Sequence, residues 1–246
     1  MKTPVLACTF LGAVAGLLSV QICEAQDRPL IIGAAIRSRP AYDGSSSQVT
    51  DLIPQLRYYG KPWFARTTQG ILEGGVQDEL APKFWAGAQI AYEPGRKRSE
   101  APLLEAQNQP DIKDGASVGL HLEWDHDFGR VPVNFLIRAR QHLDADLGGQ
   151  ADLRVNVGVF SRFGLEGAVY GQATWGTESA VQSRYGAPSS GLLFAAVGFL
   201  AGYDITRHWL LVGSLEYRKL YDEASESPLT ERNSNWYGSA GVAYRF

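Results

Sequence analysis

From Phe84 onward the chain repeats one device: stretches of about ten residues in which apolar side chains take every second place. In FWAGAQIAYE, Phe84, Ala86, Ala88, Ile90 and Tyr92 alternate with Trp85, Gly87, Gln89, Ala91 and Glu93. VGLHLEW sets Val118, Leu120, Leu122 and Trp124 against Gly119, His121 and Glu123, and VPVNFLIRAR sets Val131, Val133, Phe135, Ile137 and Ala139 against Asn134, Arg138 and Arg140. DLRVNVGVF does the same with Leu153, Val155, Val157 and Val159 facing away from Asp152, Arg154 and Asn156. A period of two gives a β-strand one greasy face and one polar face. Soluble strands usually stop at about five or six residues, so these are long. FGLEGAVYGQATW, GLLFAAVGFLAGY and HWLLVGSLEYRKL follow. The second is apolar on both faces, which periodicity alone does not separate from a buried helix; its glycines and its neighbours favour a strand. The last strand places Trp236, Gly238, Ala240, Val242, Tyr244 and Phe246 on one face and Tyr237, Ser239, Gly241, Ala243 and Arg245 on the other.

The N-terminus supplies the compartment. Lys2 precedes an uncharged, largely apolar run from Thr3 to Ile22, and CEAQ puts Ala25 at a small-residue cleavage position. This is the pattern of a secretory signal peptide. Gly12 and Gly16 interrupt the run and no stop-transfer flank follows it, which argues against a membrane-spanning helix. The expectation is a cleaved segment 1–25 and a single domain from Gln26 to Phe246. Cys8 and Cys23 fall in the leader, so the mature chain has neither thiol nor disulfide; Ile22 before Cys23 argues against a lipid anchor. The net charge of -3 carries no basic field for nucleic acid. With 27 glycines in 246 residues, abundant aromatics, export and period-two segments, the chain reads as all-β: a closed antiparallel up-and-down transmembrane β-barrel of the cell outer membrane, its apolar face on lipid.

Polar stretches near 94–115, 143–150, 176–190 and 222–234 alternate with turns near 127–130, 161–163 and 204–207. Long extracellular loops and short periplasmic turns take turns in such barrels, which puts both chain ends in the periplasm. In the N-terminal third, candidate strands lie at about 29–39, 50–59, 61–67, 69–77 and 84–93, with turns at YYGKP and DELAPK. Counting all five gives twelve strands; the pair over 61–77 alternates poorly, and without it the count is ten. Pro54 inside a candidate strand demands a bulge or a strand end, because proline has no N–H for the ladder.

LIPQLRYYGKPWFAR (Leu52–Arg66), GYDITRHWLLVGSLEYRKLYDEASESPL (Gly202–Leu229) and the ending WYGSAGVAYRF resemble the MipA/OmpV family of outer-membrane proteins. The middle stretch carries most of the likeness, with a Trp-started strand followed by Leu220, Asp222, Ala224 and the pair Ser227–Pro228. The resemblance implies a closed barrel. For one branch of the family it also implies a scaffold joining a murein-cleaving transglycosylase to a murein synthase, while other members are porin-like or adhesin-like. It also marks the terminal strand, with Tyr244 and Phe246, as the signal read by the barrel-assembly machinery.

His121, Glu123 and Asp125 share a strand face and could approach a divalent cation, but a polar lumen face running into a turn accounts for them, and no metal is expected. A lipase or deacylase would need a serine with a histidine base. None of His121, His126, His142 and His208 accompanies a serine motif, and Gly213–Ser214–Leu215 lacks the turn of a nucleophile elbow. The reading is therefore non-catalytic and without cofactor. Glu123, Arg138, Arg140, Arg154, Glu166, Glu216 and Arg218 all have inward parity. Paired, they would plug the barrel; unpaired around water, they would line a narrow charge-selective channel. Ten to twelve strands enclose little space, which favours a filled lumen, and pairing of Arg154 with Glu166 across their hairpin is one expected contact. Trp209, Tyr217, Trp236, Tyr244 and Phe246 read as interfacial aromatics. The expected role is scaffolding near the cell wall, with lipid, the assembly machinery and a periplasmic murein hydrolase or synthase as partners; a small-solute channel and an adhesin using the loop within 94–115 are the alternatives.

Overall fold

The computed structural model describes residues 30–246; the expected leader, with Cys8, Cys23 and the expected cleavage position at Ala25, lies outside the described residues. Twelve strands form a closed antiparallel barrel in which each pairs with its neighbours in sequence, and the last returns to the first. They are β1 (Ile31–Pro40), β2 (Gln48–Tyr59), β3 (Trp63–Thr68), β4 (Ile71–Ala81), β5 (Phe84–Glu93), β6 (Gly115–Phe128), β7 (Val131–His142), β8 (Gly149–Arg162), β9 (Leu165–Gly176), β10 (Gly191–Asp204), β11 (Trp209–Leu220) and β12 (Ser234–Arg245). The count is twelve because the poorly alternating pair exists as β3 and β4. Its pattern was weak because β3 has only six residues and Gly74–Gly75 blank both faces of β4. The stretch apolar on both faces is strand β10. The DELAPK turn is tighter than expected: β4 runs on to Ala81, and only Pro82–Lys83 separates it from β5.

Closure is made by β1 and β12, paired from Ile31↔Arg245 to Ser38↔Gly238. Gly33 and Gly241 sit at this seam, and a Cβ on either would come within 2.3 Å of a backbone oxygen of the partner strand. The outer face is apolar, with Ile36, Leu52, Leu120, Ile137, Val197 and Leu215 each half or more exposed. Aromatics collect at its two ends. Trp209, Tyr244 and Phe246 meet edge to face at the periplasmic end, and Tyr217 lies against Trp236 at the other. The eight residue steps from Trp236 to Tyr244 span about 20 Å of barrel height at about 3.3 Å per step and a tilt of about 40°, near the thickness of the apolar belt.

Pro54 sits where β2 has lost one neighbour. β3 pairs with β2 only from Arg57↔Arg66 to Tyr59↔Phe64, then turns back at Gln69–Gly70 into β4. Leu56, with its N–H on the same side as the nitrogen of Pro54, donates to Thr67 Oγ1 at 3.3 Å. The missing N–H of Pro54 therefore faces a notch and costs no ladder bond.

The extracellular connections carry three short helices, α1 (Pro102–Ala106), α2 (Glu178–Tyr185) and α3 (Asp222–Glu226). Val181 and Tyr185 of α2 and Ala224 of α3 pack on Leu193, Phe194 and Leu220 at the barrel mouth. Ala101 and Leu104 pack on Ala41, Tyr42 and Leu229. The loops thus form a roof, whereas the periplasmic turns are bare.

Leu120 is 67% exposed at mid-strand. Leu120→Lys should cost about 2–4 kcal/mol of folding free energy in lipid vesicles, as expected for a cation facing lipid near the midplane. Phe163→Lys, in the Phe163–Gly164 turn, should cost almost nothing in the same urea titration.

Candidate functional site

The inner face was expected to carry charge, and its strands gather part of that charge into a connected network. Glu73 of β4, 1% exposed, is its hub. Its Oε1 accepts from Arg66 Nε at 2.5 Å, and its Oε2 accepts from Arg138 Nη1 at 2.7 Å and from Gln89 Nε2 at 2.7 Å. Arg66 continues to Glu123 at 3.0 Å, and Glu123 accepts from Asn134 Nδ2 at 2.9 Å. Arg138 also holds Asp152 at 2.8 Å, which accepts a hydrogen bond from Thr174 at 2.8 Å. These bonds tie β3 to β6 and β4 to β7, strands that are not neighbours in the sheet.

Below the network, toward the periplasm, the inward side chains turn apolar. Ile31, Phe64, Leu136, Ala168, Leu200, Leu210 and Ala243 are none of them more than 5% exposed. His121 packs edge-on against Phe64, ring centres 5.2 Å apart. The lower half of the lumen is filled.

A second cluster crosses the upper half. Glu216 accepts from Tyr170 Oη at 2.5 Å, from Arg218 Nη2 at 2.7 Å and, from the tip of the β3–β4 turn, Gln69 Nε2 at 2.6 Å. Arg218 reaches up to Asp43 in the β1–β2 loop at 2.8 Å, where the Tyr237 hydroxyl also donates to Asp43. Burial pushes the Asp43 carboxyl up, but Arg218 beside it and the Tyr237 hydrogen bond outweigh that and hold it below the ordinary range.

Of the residues singled out by parity, Glu123, Arg138, Arg140, Arg154 and Glu216 are buried in the lumen and Arg218 is nearly so. Glu166 lies apart, near the periplasmic end, opposite Ser161. The expected Arg154–Glu166 pair is not formed, because the register sets Arg154 opposite Gln172 instead. Tyr244 and Phe246 close the periplasmic aromatic cluster, and the Phe246 N–H donates to the Leu30 carbonyl at 3.0 Å. His121, Glu123 and Asp125 do not converge: the first meets Phe64, and the other two share Asn134. Among the described residues no group of three His, Cys, Asp or Glu gathers at metal-binding geometry. Ser214 Oγ lies 2.7 Å from Ser239 Oγ, while His126 sits between Trp124 and Phe128, and His142 and His208 bond to the Asp144 N–H and the Arg245 carbonyl.

Sequence reasoning missed Arg66, Glu73 and Asp43. Glu73 stands beside two glycines that erase the alternation. Asp43 stands in a loop, where parity says nothing.

The sequence matches the family described as MltA-interacting protein MipA over residues 32–246. The chain belongs to the MipA family. No curated protein sequence is a significant match. Among solved structures, the barrel is similar to the COG4313 outer membrane channel from Pseudomonas putida F1, at 13% identity and a TM-score of 0.56, over 91% of this chain and 97% of that one. It is also similar to the NanC porin, at 13% identity and a TM-score of 0.53, over 88% of this chain and the whole of the other. These likenesses place this MipA-family chain among outer-membrane barrels.

Glu73→Ala should destabilise the barrel by about 3–5 kcal/mol, because it leaves two buried guanidinium groups short of their counter-ion. The urea midpoint read by tryptophan fluorescence measures it, and Glu73→Gln should cost less. The Asp43–Arg218 tie answers to pH. Its folded pKa lies below the unfolded value, so its contribution is complete above about pH 4 and is lost as pH falls through the lowered value. Hydrogen exchange across Ala41–Ser47 should speed up over that range, and Asp43→Asn should remove the pH dependence.

Proposed function

We propose that this outer-membrane barrel is non-conducting and non-catalytic, and that it serves as a structural anchor whose periplasmic face receives a murein-processing enzyme. The observation that carries this reading is the filling of the lower half of the lumen, in which an ion-paired layer lies on an apolar one with side chains almost wholly out of solvent. A pore needs a continuous wet path, and the ion-paired layer across this interior engages Glu73, Glu123 and Asp152 with Arg66 and Arg138. The family's description as MltA-interacting supports the choice of partner. Delivery to the membrane by the barrel-assembly machinery through Tyr244 and Phe246, and processing to a chain starting at Gln26, belong to the same proposal.

The periplasmic face offers contacts of the right kind. Phe163 stands 84% exposed at a turn tip, beside Arg162 at 4.7 Å from its ring centre, and Arg130 and Arg207 occupy neighbouring turns. An exposed aromatic flanked by arginine is the composition of an interface anchor.

Purified barrel in planar bilayers should give no steady conductance steps; ion-selective steps would establish the channel reading instead. A membrane-bound murein transglycosylase should co-purify with the barrel, and Phe163→Ser with Arg162→Ser should reduce recovery at least about tenfold while the barrel still folds. Recovery that is unchanged would remove the periplasmic turns from the proposal.

A further inference from the structure

Above the plug, the extracellular half of the lumen keeps a cavity of about 280 Å³. Seven arginines line it against four carboxylates, with Asp51 behind Arg37 and Arg39 as a fifth acid. Two of the arginines form no salt bridge among the described residues. Arg154, 7% exposed, bonds only to the amides of Asn156 at 2.9 Å and Gln172 at 3.5 Å and lies 3.7 Å from the Tyr170 ring centre. Arg96, 6% exposed, gives one hydrogen bond to the Arg184 carbonyl at 2.9 Å. Its Nε and Nη2 are buried without an acceptor, as are Arg140 Nε and Arg184 Nη1. Buried donors on a cation are normally satisfied, and here they come from the roof and the walls of one cavity. Burial lowers the pKa of Arg96; Tyr42 offsets part of this, and the neighbouring Arg184 adds to it.

On one side the cavity is lined by the notched part of the barrel wall. Ile53 and Gln55 of β2 line it together with Gln69, Gly70 and Ile71 of the β3–β4 turn. These residues border the notch where β3 has left β2. The turn is held by Arg37, whose Nη1 donates to the Gln69 carbonyl at 3.0 Å, and Gly70 at φ +82° leaves the guanidinium its space. Outside, Ile36 and Leu52 flank the notch on the lipid face, 62% and 73% exposed.

We infer that this cavity is a binding site for a phosphate-type oxyanion, with Arg96 and Arg154 as its main ligands, and that the notch admits such a group when it is carried on a membrane lipid. A single carboxylate takes one planar guanidinium fork from one side. Guanidinium groups aimed from roof and wall suit a tetrahedral, multiply charged anion better. The inference does not depend on any murein enzyme, and a plugged barrel holds such a site as well as an open one.

The test uses the full barrel in phosphatidylcholine nanodiscs. Inorganic phosphate is titrated by calorimetry, and nanodiscs doped with lipid A are dissociated in a native mass spectrometer to count retained lipid. Arg96→Gln and Arg154→Gln should each weaken binding about tenfold or more, the loss of one charge-assisted hydrogen bond, while Lys83→Gln in the periplasmic β4–β5 turn changes nothing. Arg96→Lys, which keeps the charge with fewer donors, should retain part of the affinity, and heat-modifiable gel mobility confirms that each variant is folded. Arginine-dependent binding of free phosphate identifies a soluble ligand, and arginine-dependent retention of lipid A alone identifies a lipid one. If neither probe binds, or if both bind the glutamine variants as well as the native barrel, the inference is overturned.

Discussion

Inside a bilayer no water is at hand for a peptide N–H or carbonyl, so each must find its partner within the protein. This chain meets that demand by pairing twelve strands in a ring and closing β12 on β1. Strand length follows from membrane thickness, alternation follows from having lipid on one face only, and the seam glycines follow from the close approach that closure requires. Among the described residues the ring is incomplete at the edge of β2 above Arg57, where proline replaces a donor and a threonine hydroxyl stands in for a main-chain acceptor.

A ring that faces lipid outward must bury whatever points inward, and here the interior inverts the usual core. Arginine and carboxylate side chains occupy its centre, and apolar residues lie below them. Such groups are costly to desolvate and repay it only when every donor and acceptor is engaged. Glu73 meets that condition with Arg66, Arg138 and Gln89. Because the bonds run between strands that do not touch in the sheet, they brace the barrel across its section as main-chain pairing alone does not.

The two ends of the barrel differ in kind. At the periplasmic end, turns of two to four residues leave aromatic and arginine side chains such as Phe163 and Arg162 exposed. At the extracellular end, α1, α2 and α3 fold inward and pack on the mouth, so the cavity beneath them is roofed. Asp43 pins one of these loops to Arg218 in the wall. The chamber that results has a surplus of cationic donors, in contrast to the balanced network beneath it.

How much of this was legible varied with the physics behind each part. Alternation at Leu120, Leu122, His121 and Glu123 needs nothing beyond the pleat of a strand, so the barrel class, the lipid face, the order of loops and turns and most inward charges could be read from residue order. Glu73 escaped because flanking glycines carry no face, and Asp43 because a loop has no period. The Arg154–Glu166 pairing was misjudged because parity assigns a face but not a height, and the β8–β9 register separates the two. The sequence by itself determined which side of each strand meets lipid, since that depends only on neighbours along the chain. Which charges meet, where the lumen closes and where a cavity remains were decided by tertiary structure, because those depend on shear and closure that bring together side chains far apart along the chain.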